Sequence, residues 1–221
     1  MVRRGGQSTR IPKKRPSGFV SRKEELSVRV FIAVPLPADL KAKLAALQQE
    51  FRSLPLEAAW PREAGFHITL KFLGEVNSTQ IGPIGACMTA TAQHYGPFSL
   101  WLSGVGVFPH ESSPRVLWVG VRDVTGALKQ IQQTLDVRLT QIGYPPEDRP
   151  FAPHLTIARL KRISRRGEFL ATLKAHHEEV LGRLDIDHIE LVESQLRPSG
   201  ARYSIVNAVH FPRAIDTSES E

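Results

Sequence analysis

One short pattern occurs twice, as His67-Ile68-Thr69-Leu70 and His154-Leu155-Thr156-Ile157, and its reading decides the fold. Each copy lies inside an apolar run that reads as a β-strand. Residues i and i+2 of a strand share a face, so each His points the same way as its Thr, while Ile68 and Leu155 point into the core. None of the other six histidines has Thr two residues on. The copies are 87 positions apart, and their surroundings match in offset: Arg115 and Arg202 each lie 48 residues after a motif histidine. Each half reads helix, loop, His strand, helix, strand, strand. A repeat this long indicates duplication of a whole unit rather than a solenoid, which stacks three or more shorter ones. The expected architecture is α+β and bilobal with pseudo-two-fold symmetry: two mostly antiparallel β-sheets flanked by helices around a central cleft, with the His strands facing each other across it.

Outward from the motifs, the apolar pattern gives the remaining elements. Residues 28–34 read as a buried strand, ended by Pro35 and Pro37, and 38–53 as an amphipathic helix. The first His strand runs over 67–72 and is closed by Gly74. A helix follows at 79–94, its start blurred by Gly82, Pro83 and Gly85. Strands are expected at 98–108 and 115–121, then a helix at 125–142 and a Pro-rich loop with Pro145, Pro146, Pro150 and Pro153. The second His strand covers 154–160, followed by a helix over 168–181 and strands at 186–194 and 203–209.

Composition bounds the function. The chain has 221 residues, enough for a proper core, and 41% are hydrophobic. No stretch approaches the roughly 18 apolar residues of a membrane span. The single cysteine, Cys87, excludes an internal disulfide and a cysteine-based zinc cluster, so a cytoplasmic location is expected. The net charge of +7 is not spread over the chain. Eight of the 29 basic residues lie within 1–23, where there is no acid, leaving 21 basic against 22 acidic residues elsewhere. A general basic surface for gripping long RNA is therefore not expected. Three regions follow: a disordered basic tail at 1–25, a bilobal domain at 26–213, and a disordered polar tail at 214–221. The basic tail reads first as a solubilising extension and second as an RNA-steering arm.

Two histidines facing each other suit proton transfer, because imidazole titrates near neutrality. On opposite sides of a phosphorus, one activates water as base and the other protonates the departing oxygen as acid. Thr69 and Thr156 donate to the non-bridging oxygens and stabilise the charge that grows during attack. No cofactor and no metal is needed. Zinc is the rival reading, but it requires a third ligand, and no Cys, Asp or Glu adjoins either motif on the same face. Arg159, five residues after His154, offers a bidentate phosphate contact. Strict alternation places it on the face opposite His154, so the strand must twist, bulge or end first. Phe72 reads equally as a base-stacking platform and as core. The run Arg159, Lys161, Arg162, Arg165, Arg166 reads as solvated surface or an RNA-backbone contact. His176 and His177 read as surface, and His94, His110, His188 and His210 suggest no chemistry.

With these residues the sequence resembles the 2H phosphoesterases, in the branch of RNA 2′,3′-cyclic phosphodiesterases once named 2′-5′ RNA ligases. The likeness covers about residues 28–210, in RVFIAVPLP at 29–37, HITLKFLGEV at 67–76, VFPHESSPRVLWVGV at 107–121, FAPHLTIARL at 151–160 and LVESQLRPSGARYSIV at 191–206. The resemblance implies a bilobal, metal-independent enzyme that hydrolyses a terminal 2′,3′-cyclic phosphate to a 2′-phosphate. It implies His67 as proton donor to O3′, His154 as base for water, Thr69 and Thr156 as phosphate holders, and Arg159 as the arginine that follows the second motif. It also implies 2′-5′ joining of RNA as a side activity. The expected partner is an RNA end bearing the cyclic phosphate, with no membrane, and the expected state is a monomer. Two alternatives stay open from sequence: a non-catalytic RNA-end-binding module, and the same chemistry on small cyclic nucleotides or 2′-5′ oligonucleotides.

Overall fold

The computed structural model describes residues 27–197 and 200–213. The expectations for 1–25 and 214–221 lie outside the described residues. The chain runs β1 (Ser27–Pro35), α1 (Ala38–Arg52), β2 (Leu56–Ala59), β3 (His67–Asn77), α2 (Ile81–Ala92), β4 (Phe98–Phe108), β5 (Val116–Arg122), α3 (Ala127–Gln141), β6 (His154–Ile163), α4 (Arg166–Ala175), β7 (Val180–Ile186), β8 (His188–Arg197) and β9 (Gly200–His210). Two sheets form, ordered β3-β1-β8-β9 and β2-β6-β5-β4-β7, with every pairing antiparallel.

The helices form because their apolar residues recur on one face. Leu40, Leu44, Leu47 and Phe51 of α1, and Leu128, Ile131, Leu135 and Leu139 of α3, are all buried at i, i+3 or i+4 spacing. Fully burying each such side chain contributes about 1.5–3 kcal/mol. Pro83 falls in the first turn of α2, where a missing N–H costs nothing, so the helix starts at Ile81 despite its glycines. Asp123 caps α3, accepting from the Gly126 and Leu128 N–H groups at 3.0 and 2.8 Å.

The duplication is real, but its units differ from the sequence reading. The matching sub-sheets are β3-β1-β8 and β6-β5-β4. Each unit therefore starts on a strand, β1 or β5, and sends its last strand, β4 or β8, into the other unit's sheet. Helices cross over too: α2 and α3 pack together on the sheet of β3, while α1 and α4 pack on that of β6. The counterpart of β5 is β1, which lies inside its sheet, and β9 is an added edge strand. Arg115 and Arg202 consequently do not occupy equivalent places, and Arg202 is exposed on that edge.

Two strands were missed. Residues 180–186 form β7 on the edge beside β4, so the fourth helix stops at Ala175 instead of reaching 181. Leu56–Ala59 pairs with β6 although its Glu and Ala favour helix; pairing to an existing edge overrides propensity in so short a piece. Gly74 does not close β3, which continues to Asn77 with Gly74 at φ +75°.

Candidate active site

Both motif strands carry a bulge at the same place, three residues after the histidine. In β3, Thr69 pairs with Ala33 and Lys71 with Ile32, leaving Leu70 as the extra residue. In β6, Thr156 pairs with Trp118 and Ala158 with Leu117, leaving Ile157 as the extra residue. A bulge places two successive side chains on one face and so reverses the alternation beyond it. Leu70 and Lys71 are both buried, as are Ile157 and Ala158. The next residues, Phe72 and Arg159, thereby join the face of His and Thr. The obstacle that strict alternation set for Arg159 is removed in this way, and Phe72 and Arg159 become counterparts in the two lobes. The β6 bulge is held by Gln48 of α1, whose buried amide donates to the Ile157 carbonyl at 2.9 Å and to Pro61 at 3.0 Å.

His67, Thr69, Phe72, His154, Thr156 and Arg159 line one cavity of about 610 Å³ between the sheets, so all six residues singled out from sequence meet there. Arg29 joins them. Neither Arg29 nor Arg159 makes an ion pair among the described residues, and neither threonine hydroxyl is bound to a protein partner there. The described lining contains no carboxylate. Two guanidiniums, two imidazoles and the free hydroxyls of Thr69 and Thr156 around an acid-free space make an anion site. The two imidazoles are also the only metal-ligating side chains in that lining, one fewer than the three protein ligands of a catalytic zinc.

The histidines sit in different surroundings. His67 stacks on Phe31, with centroids 4.5 Å apart, and meets the edge of Tyr203 at 5.5 Å. Burial there pushes its pKa down to about 4; a hydrogen bond to the Gly65 backbone opposes the shift, and the Lys41 cation adds to it. His154 meets the edge of Phe108 at 4.9 Å, and its Nδ1–H donates to the Ala152 carbonyl at 2.8 Å. A carbonyl only accepts, so the neutral ring carries its proton on Nδ1 and keeps the Nε2 lone pair free. Each histidine is thus tied to the backbone two residues upstream, Gly65 or Ala152.

A second cavity of about 830 Å³ opens from the first and shares Thr69, Phe72, Val116 and His154 with it. Arg115, Arg149 and Phe151 are among its walls. Phe72 is 57% exposed, so it is a wall of both cavities and not core. Lys71, turned inward by the bulge, is buried and bonds Asp136 of α3 at 2.5 Å and the Pro145 carbonyl at 2.6 Å, pinning the Pro-rich loop that borders this cavity.

The sequence reading missed Phe31, Tyr203, Gln48 and Lys71. Tyr203 lies within the 191–206 segment quoted above, and Gly65 is glycine because a Cβ there would fall 2.7 Å from the Tyr203 ring. Beyond Arg159, the arginines of the basic run are paired elsewhere, Arg162 with Glu57 at 3.7 Å, Arg165 with Glu168 at 3.0 Å, and Arg166 with the Glu111 and Ser112 carbonyls, while Lys161 is exposed. His176 is half-buried rather than fully exposed. Partial burial pulls its pKa down, but Glu179 and Glu50, which flank the ring, outweigh this and hold it above the usual range.

The family model described as LigT like phosphoesterase matches residues 34–118 and again 119–203, one match for each motif. The chain is a LigT-like phosphoesterase. Among its relatives is the RNA 2′,3′-cyclic phosphodiesterase of Methanothermobacter thermautotrophicus, 29% identical over 179 residues, 81% of this chain and 96% of the relative. That of Archaeoglobus fulgidus is 30% identical over 177 residues, covering 80% and 96%. Among solved structures, TT0787 of Thermus thermophilus superposes with a TM-score of 0.71 at 26% identity, covering 83% of this chain and 97% of that one. E. coli LigT complexed with 3′-AMP shares the fold, with a TM-score of 0.68 at 23% identity over 85% and 100% of the chains. This LigT-like phosphoesterase is an enzyme of the 2H class, and among its described residues no helix is long and apolar enough to cross a membrane.

Proposed function

We propose that the cleft opens 2′,3′-cyclic phosphates at RNA ends, giving a 2′-phosphate and a free 3′-hydroxyl without a metal. The observation that carries this reading is the meeting of two histidines and two threonines from duplicated strands around one acid-free cavity. His154 acts as base: its free Nε2 takes a proton from water as the water oxygen attacks phosphorus. His67 donates a proton to O3′ as the P–O3′ bond breaks. Thr69, Thr156 and Arg159 hold the non-bridging oxygens, and Phe72 offers a stacking face to a base. The second cavity, with Arg115 and Arg149, has the room and charge for the rest of the terminal nucleotide and its 5′ phosphate. Joining to a 2′-5′ linkage is the same displacement with a 5′-hydroxyl in place of water. Relatives named RNA 2′,3′-cyclic phosphodiesterase support this substrate over other phosphoesters. Both motifs come from one chain, so a monomer carries a complete site.

The low pKa of His67 favours a second assignment of roles. At pH 7 a histidine with a pKa of about 4 is protonated in about one molecule per thousand. His67 is therefore a proton donor only when a bound phosphate anion draws the proton onto it. With roles reversed and the ribose in the same orientation, the 2′ bond breaks and the product is a 3′-phosphate. Phosphorus NMR of a dinucleotide 2′,3′-cyclic phosphate turned over in EDTA distinguishes these readings. A 2′-phosphate is the expected product. An exclusive 3′-phosphate refutes the role assignment, and no turnover until metal is supplied refutes the metal-free chemistry.

A further inference from the structure

We propose that Asp187, His188 and His210 form a binding site for a divalent transition metal such as zinc, outside the cleft. β7 ends at Ile186, paired with Phe98 in one sheet, and β8 begins at His188 in the other. Asp187 is thus the single residue that links β7 in one sheet to β8 in the other. Its carbonyl accepts from the Phe211 N–H at 2.8 Å, which ties the end of β9 to the crossover. His188 and His210 are direct cross-strand partners, and their rings stack with centroids 4.8 Å apart. Candidate ligand atoms of all three side chains lie within 4.8 Å of one another.

The donor set selects the metal class. Two imidazole nitrogens and one carboxylate suit zinc, nickel or copper, whereas calcium and magnesium take all-oxygen shells. Zinc bonds of about 2.0–2.2 Å arranged tetrahedrally need neighbouring ligand atoms about 3.3–3.5 Å apart. The backbone positions are fixed by the β8–β9 ladder, so rotation of the exposed His210 side chain closes the gap. Asp187 Oδ1 sits 2.5 Å from His188 Nδ1, a proton-bridged distance, so the half-buried Asp187 side chain must also turn to open this gap to about 3.3 Å as the metal replaces the proton between them. Glu190 Oε1, 3.5 Å from His188 Nε2, is placed to accept the remaining ring N–H, the outer partner that orients a metal-bound imidazole. Three protein ligands leave the fourth position to water. Against the site stands Arg213, 3.8 Å from Asp187 Oδ2, but its side chain is 81% exposed and can swing aside. A metal here would staple the crossover between the sheets to the end of β9 without touching the cleft.

The test uses metal-stripped full-length protein, titrated calorimetrically with zinc chloride and melted with and without it. One zinc per chain is expected, with a rise in Tm. His188→Ala and His210→Gln should each weaken binding at least about tenfold and abolish the rise, since a metal that binds only the folded state stabilises it by mass action. His67→Gln should still take up one zinc. Three results overturn the proposal: no uptake by the native protein, undiminished uptake by both the His188 and His210 variants, or loss of uptake in His67→Gln, which would place the metal in the cleft.

Discussion

Acidification should destabilise this protein through His67. Its pKa is about 4 in the folded state against 6.5 in an exposed histidine. Between those values the unfolded chain binds a proton that the folded chain refuses, so stability rises with pH there. The contribution is complete above pH 6.5 and is lost as pH falls toward 4. At pH 4.5 protonation favours the unfolded chain by a factor of about 100 and the folded chain by scarcely more than 1, a destabilisation of about 2.5 kcal/mol relative to pH 7.5. His67→Gln removes the titration and keeps a neutral polar group. Urea unfolding of both proteins at pH 7.5 and 4.5 gives the difference directly. His176 acts in the opposite direction, because its raised pKa stabilises the fold below pH 6.5 and that stability is lost as pH rises through the raised value. It is present in both proteins and cancels. If native and variant lose stability in parallel, within about 0.5 kcal/mol, His67 is not a buried neutral imidazole and the account of the cleft is wrong.

Three further substitutions probe how the site is held. Lys71→Met leaves the Asp136 carboxylate without its buried partner and should destabilise the protein by about 3 kcal/mol, measured by urea unfolding; Lys71→Met with Asp136→Leu should recover part of this, and no recovery would deny the coupling. Gln48→Met keeps the volume but strands the Ile157 and Pro61 carbonyls, at about 1–3 kcal/mol. It should also raise KM through a looser Arg159, and an unchanged KM would separate the bulge from phosphate binding. Gly65→Ala drives a methyl against the Tyr203 ring at 2.7 Å and should lower kcat/KM about tenfold by displacing His67; adding Tyr203→Ala should restore space, so an unaltered single variant would mean the ring yields freely.

Much of the site was legible because it rests on rules that act within a few residues. Period-two alternation placed His67 with Thr69 and His154 with Thr156, and buried Ile68 and Leu155. The duplication told that the two pairs would meet. What escaped the sequence depends on register. A bulge at Leu70 and another at Ile157 carry no residue signature of their own, yet they decide that Phe72 and Arg159 face the cavity and that Lys71 turns inward. The exchange of β4 and β8 between sheets is equally silent, since a strand's pattern does not name its partner. For that reason Arg115 and Arg202 looked equivalent and are not. His176 shows a third limit: at the end of α4 it has the pattern of a surface residue, and the approach of Glu50 and Phe51 from α1 half-buries it. β2 and β7 are short edge strands, whose existence depends on a neighbour that propensity cannot see.

Single-turnover cleavage of an oligoribonucleotide ending in a 2′,3′-cyclic phosphate, by the native enzyme, His67→Ala and His154→Ala in EDTA, tests the pairing of the two imidazoles most directly. Each variant should lose at least about 100-fold in rate, as expected when a general acid or base is removed. A variant that keeps a tenth of native turnover would contradict two-histidine catalysis in this cleft.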